Sequence, residues 1–198
     1  MDSKTLQKSS FIPTPLYIAN KSCVINVRNM HDELCFIYSI LAVTKRHEVA
    51  FGAMKRQGLN RAIRYSKYLK EIKFDSDKMP MRIEDIPHFE SKNPRLAINV
   101  IKYECEDLSE NHTSFFKLVY KSRYFKDPRR EAVCLLMIGY ENKFHYLAIT
   151  NLNRLLNHNK TDMLNIVAEK WCPRCLQSFS FVKTFNDHPC VSKRACLQ

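Results

Sequence analysis

Four β-rich runs crowd into one stretch of this chain, at 96–103, 116–120, 132–138 and 144–149, with polar turns between them. β-branched and aromatic residues at that density suit a pleated, packed surface, and the pattern predicts a mostly antiparallel sheet. The sequence before it is different in kind. Residues 48–70 place Ala50, Met54, Leu59, Ala62, Ile63 and Leu69 at helical intervals, with a break near Gly58, and Pro80 and Pro87 bracket a short helix-like piece at 83–90. Residues 1–20, with Pro13 and Pro15, read as an irregular lead-in, and 22–28 as a short strand. Helices first and a sheet afterwards define an α+β fold. We expect this domain to run from 21 to 152, followed by a polar linker at 153–167 and a separate module at 168–198.

The segment Asn29-Met-His-Asp-Glu-Leu-Cys35-Phe-Ile-Tyr-Ser-Ile-Leu-Ala42 runs from an extended stretch into an apolar helix, with Cys35 in its first turn. First-turn amides have no intrahelical partners and carry partial positive charge, so a sulfur placed there is biased towards thiolate. Asp32 is the expected N-cap, and Phe36, Ile37, Ile40 and Leu41 form the stripe that buries the helix. Cys35 is therefore a candidate nucleophile, the alternative being a buried structural thiol. A nucleophilic thiol needs a base, and His145, on the last β-run, is the candidate. Asn151 shares its strand face but lies roughly 20 Å away in a straight strand, with Asp162 or Asn153 as substitutes for the orienting role. The Asn29 amide and the Cys35 backbone N–H are candidate oxyanion donors.

Cys172-Pro-Arg-Cys175 is followed by twelve residues and then His188, with Phe179 and Phe185 between. These offsets match a ββα zinc finger, in which a cysteine hairpin and a helix histidine hold Zn2+ over two apolar residues. A common finger places its fourth ligand three to five residues after the histidine; here Cys190 or Cys196 must serve, and Cys190, just after Pro189, is the expected one. A piece this short depends on its metal to fold.

Thirty-two Lys and Arg against twenty Asp and Glu give a formal charge of +12, which favours an anionic partner. Arg61, Arg64, Lys67 and Lys70 recur every third residue, and Lys121, Arg123, Lys126, Arg129 and Arg130 cluster; both sets are candidate DNA contacts, or simply solvated faces. With three glycines in all, the chain has neither a Gly-rich phosphate loop nor a dinucleotide fingerprint. The scattered cysteines outside the finger fit reduced thiols. No apolar run reaches the roughly 20 residues of a membrane span, and the polar start lacks a secretory pattern, so the expected compartment is intracellular, cytoplasmic or nuclear, with no membrane partner.

Asp32-x-x-Cys35-Phe with the later His145-Tyr146 resembles the ovarian-tumour-type deubiquitinases, which implies a papain-like cysteine peptidase acting on ubiquitin or another protein. Leu147 stands where that family carries Asn or Asp after the histidine. A longer resemblance joins Ile12-Pro-Thr-Pro, the segment from Ala19 to Val27, Ile86-Pro-His-Phe-Glu90, Ala97-Ile-Asn-Val, His145-Tyr and the Cys-Pro-Arg-Cys finger. It is similar to the region ahead of protein-primed family B DNA polymerases in Maverick-type transposons and related viruses, which implies a mobile-element origin and work near DNA. Two functions stand: a Cys35/His145 peptidase, or a non-catalytic nucleic-acid-binding accessory protein.

Overall fold

The computed structural model describes residues 11–51, 58–105, 114–140, 143–157 and 169–190. Its centre is a five-stranded sheet in the order β1-β5-β4-β2-β3, built from β1 (Val24–Ile25), β2 (Leu96–Cys105), β3 (Ser114–Lys121), β4 (Glu131–Tyr140) and β5 (Lys143–Ile149). β2/β3, β4/β5 and β1/β5 pair antiparallel, while β2 and β4 run parallel. All four expected β-runs become strands of this sheet, and the fold is α+β.

Both faces of the sheet are covered, which is why its inner strands read as nearly continuous apolar runs rather than alternating ones. On one face α2 (Cys35–Thr44) packs against Ile98, Val100, Val133, Leu135, Tyr146 and Ala148. Every residue of α2 from Cys35 to Ala42 is buried, because α4 (Ile86–Lys92) and the segment from Leu59 to Ile72 enclose the helix as well. Phe36 is the hinge of that core, edge-on to Phe89 and to Tyr146 at ring separations of 5.1 Å each. The second face holds Ile101, Cys134, Leu136, Ile138, Leu147 and Ile149 under α1 (Leu16–Asn20) and α5 (Leu152–Leu156).

A single helix over 48–70 is not formed. α3 covers Arg46–Phe51, and after Gly58 the chain winds in 3-10 turns, Ala62–Arg64 and Ser66–Glu71. The cause is a three-residue repeat: Leu59, Ala62, Tyr65 and Tyr68 all face the core, and side chains three apart eclipse only in a 3-10 helix. The strand expected at 22–28 shrinks to Val24–Ile25, with Arg28 bridging to Arg61.

The C-terminal piece folds as β6 (Lys170–Trp171), β7 (Ser178–Phe179) and α6 (Val182–Asn186), with Phe179 and Phe185 edge to face at 5.7 Å. It is docked on the sheet. Asn99 Nδ2 donates to the carbonyls of Pro173 and Arg174 at 2.8 and 3.0 Å, and the Arg174 guanidinium donates to the carbonyls of Asp127 and Arg130. The segment expected as a linker begins as helix, since Asn153 and Leu155 belong to α5; 158–168 lies outside the described residues.

Phe36 is fully buried between two aromatic rings, so Phe36→Ala should lower stability by about 3 to 5 kcal/mol, read from the denaturant midpoint at unchanged m-value.

Candidate functional site: a four-ligand cluster and its basic surroundings

The residues that the sequence brings together locally do meet. Cys172, Cys175, His188 and Cys190 place one ligand atom each within 4.8 Å of one another, so the cluster could bind a metal ion. The hairpin between the first two supplies the geometry: Leu176 N–H donates to the Cys172 carbonyl at 2.8 Å, with Leu176 in the left-handed region at φ 59°, and both sulfurs turn the same way. α6 carries the chain back so that His188 Nε2 lies 3.0 Å from Cys175 Sγ. Among the described residues the fourth position is Cys190; Cys196, the other candidate, lies outside them. Three sulfurs and one imidazole suit a soft or borderline cation in tetrahedral geometry. Burial and the adjoining Cys175 raise the Cys190 thiol while Lys121 and Lys126 pull it down, so the basic β3–β4 turn lies alongside the cluster.

The residues that must meet across the fold do not. Tyr146 faces α2, and side chains alternate along a strand, so His145 is on the opposite face with Leu147 and Ile149. There its Nε2 lies 2.9 Å from Asn26 Oδ1, its ring stands edge-on to Phe11 at 5.6 Å, and Nδ1 is buried with no hydrogen-bond partner. Burial in these surroundings lowers the His145 pKa to about 4. Cys35 opens α2 as expected, but at 1% exposure it sits in the core beside Tyr146, and the thiol and the imidazole stand on different sides of the sheet. The contacts given for β5 put Tyr146 beside Cys35 and His145 against Asn26.

The supporting residues are reassigned on the same grounds. Asp32 is not the N-cap, which is Leu34; its carboxylate accepts from Leu34 N–H at 3.0 Å and from the Tyr38 hydroxyl at 3.2 Å, tying down the loop before the helix. Asn29 spends its Nδ2 on Asp32, at 3.0 Å to the carboxylate and 3.1 Å to the carbonyl, so it offers no oxyanion donor. Asn151 caps α5, its Oδ1 accepting from Arg154 N–H at 2.8 Å, and does not orient His145. Asn26, between two apolar residues of the first strand segment, is the partner that sequence reasoning missed; its amide also donates to the Ile12 carbonyl and Thr14 Oγ1.

The basic residues divide sharply. Arg61, Arg64, Lys67 and Lys70 line one side of the 3-10 turns, opposite the buried Leu59, Ala62, Tyr65 and Tyr68 row, and none of the four enters an ion pair among the described residues. Arg64 lies across Gly58, whose φ of 110° and lack of a Cβ both suit glycine: an added Cβ would stand 2.6 Å from Arg64 Nε. In the β3–β4 turn Lys121 stacks over Phe125 at 4.3 Å and Arg123 over Tyr124 at 4.8 Å. Arg130 is withdrawn as a DNA contact, because it is buried, stacks at 3.6 Å on Tyr124 and donates to the carbonyls of Glu90 and Leu96. Arg129 is exposed but paired bidentately with Asp127 at 3.0 Å. None of the described helices is long and apolar enough to cross a membrane.

No family model matches the chain, and no solved structure does. A Sputnik virophage protein provisionally named integrase V10 is 28% identical over 144 residues, covering 67% of this chain. The chain spans 60% of that relative's length. The chain is thus distantly similar to a virophage protein.

With an unfolded-state value near 6.5 and a folded value near 4, His145 favours the neutral form in the native state. Its contribution is complete above pH 6.5 and is lost as pH falls towards 4, where the unfolded chain takes up the extra proton. Stability should drop by up to about 3 kcal/mol over that window, and His145→Gln should flatten the dependence, measured by denaturation at stepped pH.

Proposed function

We propose that this is a nucleic-acid-binding accessory protein of a mobile genetic element, stapled by a zinc ion and not acting as a peptidase. The row Arg61, Arg64, Lys67 and Lys70 carries the reading. In a 3-10 helix the rise is about 2.0 Å per residue and i, i+3 side chains eclipse, so Lys67 and Lys70 on the Ser66–Glu71 turn stand one above the other about 6 Å apart, with Arg64 at the end of the preceding turn and Arg61 just before it. An α-helix would fan the same residues around its axis. A row of cations with no ion pairs is suited to contact a sugar–phosphate backbone, releasing counterions as it does so. The net charge of +12, the Lys121–Lys126 turn beside the cluster and the likeness to a virophage protein named as an integrase all point the same way.

Peptidase action on ubiquitin or another protein would need an imidazole against the Cys35 sulfur. His145, spent on Asn26 across the sheet, does not supply one. The Cys3His set favours zinc, held without an open coordination position, so the ion's role is structural: it fixes the finger against the sheet beside the basic turn.

Binding to a labelled DNA duplex, followed by anisotropy between 50 and 300 mM salt, should weaken steeply with salt. Lys67→Ala with Lys70→Ala should shallow the log–log slope by about 2 and weaken low-salt affinity at least tenfold. Binding that ignores both salt and this double variant overturns the reading.

The purified chain should carry one zinc ion. Stripping it with a chelator should unfold residues 169–190, and Cys190→Ala should lower zinc affinity by at least tenfold, measured by competition with a chromogenic chelator.

A further inference from the structure

Between the docked finger and the end of the sheet lies a cavity of about 570 Å³, within the size range of small-ligand sites; of the cluster only Cys172 reaches its wall, and the basic row does not. Its walls come from the end of α2 and start of α3 (Thr44, Arg46, His47), the start of β4 (Glu131) and the end of β5 running into α5 (Thr150, Asn151, Asn153). The finger closes it with Trp171, Pro173, Arg174 and Phe185.

The polar wall is biased towards donors. Asn151 Oδ1 is taken by Arg154 N–H at 2.8 Å and Asn153 Oδ1 by Trp171 N–H at 2.6 Å, so what each carboxamide has left to offer is its amino group. The Trp171 indole N–H and the Arg174 Nε–H are buried without acceptors, and Arg174 as a whole is 4% exposed. Arg46 and His47 stand side by side, 3.4 Å apart, at the same wall. Glu131 is the one carboxylate there. A donor-rich wall with two or three cations selects an anion whose oxygens accept several bonds at once, and that is a phosphate. Trp171, Pro173 and Phe185 add flat apolar surface suited to a base.

We propose that this cavity binds the phosphate of a nucleotide, free or at the end of a DNA strand, with Arg46, His47 and the Asn151 and Asn153 amides on the phosphate and Trp171 beside the base. The inference rests on the nucleic-acid reading given above, and it needs no glycine-rich loop because the side-chain amides of the cap Asn151 and of Asn153 do the work of backbone ones.

Trp171 is the chain's only tryptophan, so its emission reports the site directly. The zinc-loaded full chain is titrated with deoxyadenosine monophosphate, deoxyadenosine, inorganic phosphate, and a short oligonucleotide with either a 5′-phosphate or a 5′-hydroxyl, with calorimetry wherever emission is silent. The monophosphate should bind saturably, at least tenfold tighter than deoxyadenosine or inorganic phosphate, and Arg46→Ala with His47→Ala should weaken it at least tenfold. Competition by the 5′-phosphorylated strand alone assigns the site to strand ends; failure of both strands to compete assigns it to free nucleotides. No saturable binding of the monophosphate, equal binding of deoxyadenosine or inorganic phosphate, or indifference to the double variant overturns the proposal. Duplex binding through Lys67 and Lys70 separates the two claims: if it persists while the cavity is silent, only the cavity fails, and if the nucleotide binds while duplex binding is absent, only the DNA-binding reading fails.

Discussion

Tyr146 decides what this protein can do. Its ring is wedged against Phe36 at 5.1 Å and Phe144 at 5.8 Å, its hydroxyl donates to the Met81 carbonyl at 3.0 Å, and its own carbonyl accepts from Ser39 Oγ at 2.8 Å. Three contacts to the side chain and one to the backbone, from α2, β5 and the segment before α4, hold this residue with its ring on one face of the sheet. A strand has a period of two, so each of its other side chains is assigned by that choice. His145 goes to the far side and meets Asn26, while Cys35 remains beneath aromatic and aliphatic cover. Shifting β5 by one residue would bring the imidazole to the thiol, but it would also drive Leu147 and Ile149 out of the second core, a cost of several buried side chains.

That dependence explains which parts of the molecule can be read from sequence. The zinc-finger offsets are local: fewer than twenty residues contain all four ligands and both phenylalanines, and hairpin and helix geometry convert spacing into position without help from the rest of the fold. The four strands are legible for the same reason. A pairing of residues 110 positions apart depends instead on the parity of a strand, and His145-Tyr146 reads equally well with either ring inward. The parallel β2/β4 pair has no local signature either, since it follows from β3 taking the outer edge of the sheet. The 3-10 turns were hidden by the small difference between periods of 3.0 and 3.6 over a short window, although the strict triplet Arg61, Arg64, Lys67, Lys70 carried the signal. Burial of Arg130 is likewise invisible in a run of basic residues.

The finger is not an appendage hung on a linker. Asn99, buried in the middle of β2, turns its amide to the Pro173 and Arg174 carbonyls and accepts from Ser122 N–H, while Arg174 reaches the carbonyls of Asp127 and Arg130. Cys134 adds a thiol donor to the Pro173 carbonyl at 3.2 Å. These groups all sit around the β3–β4 turn, whose exposed surface holds Lys121, Arg123 and Lys126. A buried polar network holds only when most of its members are paired, so disorder at the cysteine hairpin would strand Asn99 and Arg174 without partners. A metal held by the four ligands would thereby help fix the geometry of the basic turn beside it.

The triplet row poses the reverse problem. Like charges one turn apart repel, by some tenths of a kcal/mol for each pair, and the chain has ready means to relieve this. It does so nearby: Lys45 is flanked by Glu48 and Glu71, and Lys78 by Asp85. Among the described residues Arg61, Arg64, Lys67 and Lys70 receive no such acid, and Tyr65 and Tyr68 from the same segment are buried in the core. On the proposed nucleic-acid reading, that unrelieved repulsion is what a bound polyanion would relieve. On that reading the local arrangement of charge matters more than the total of +12.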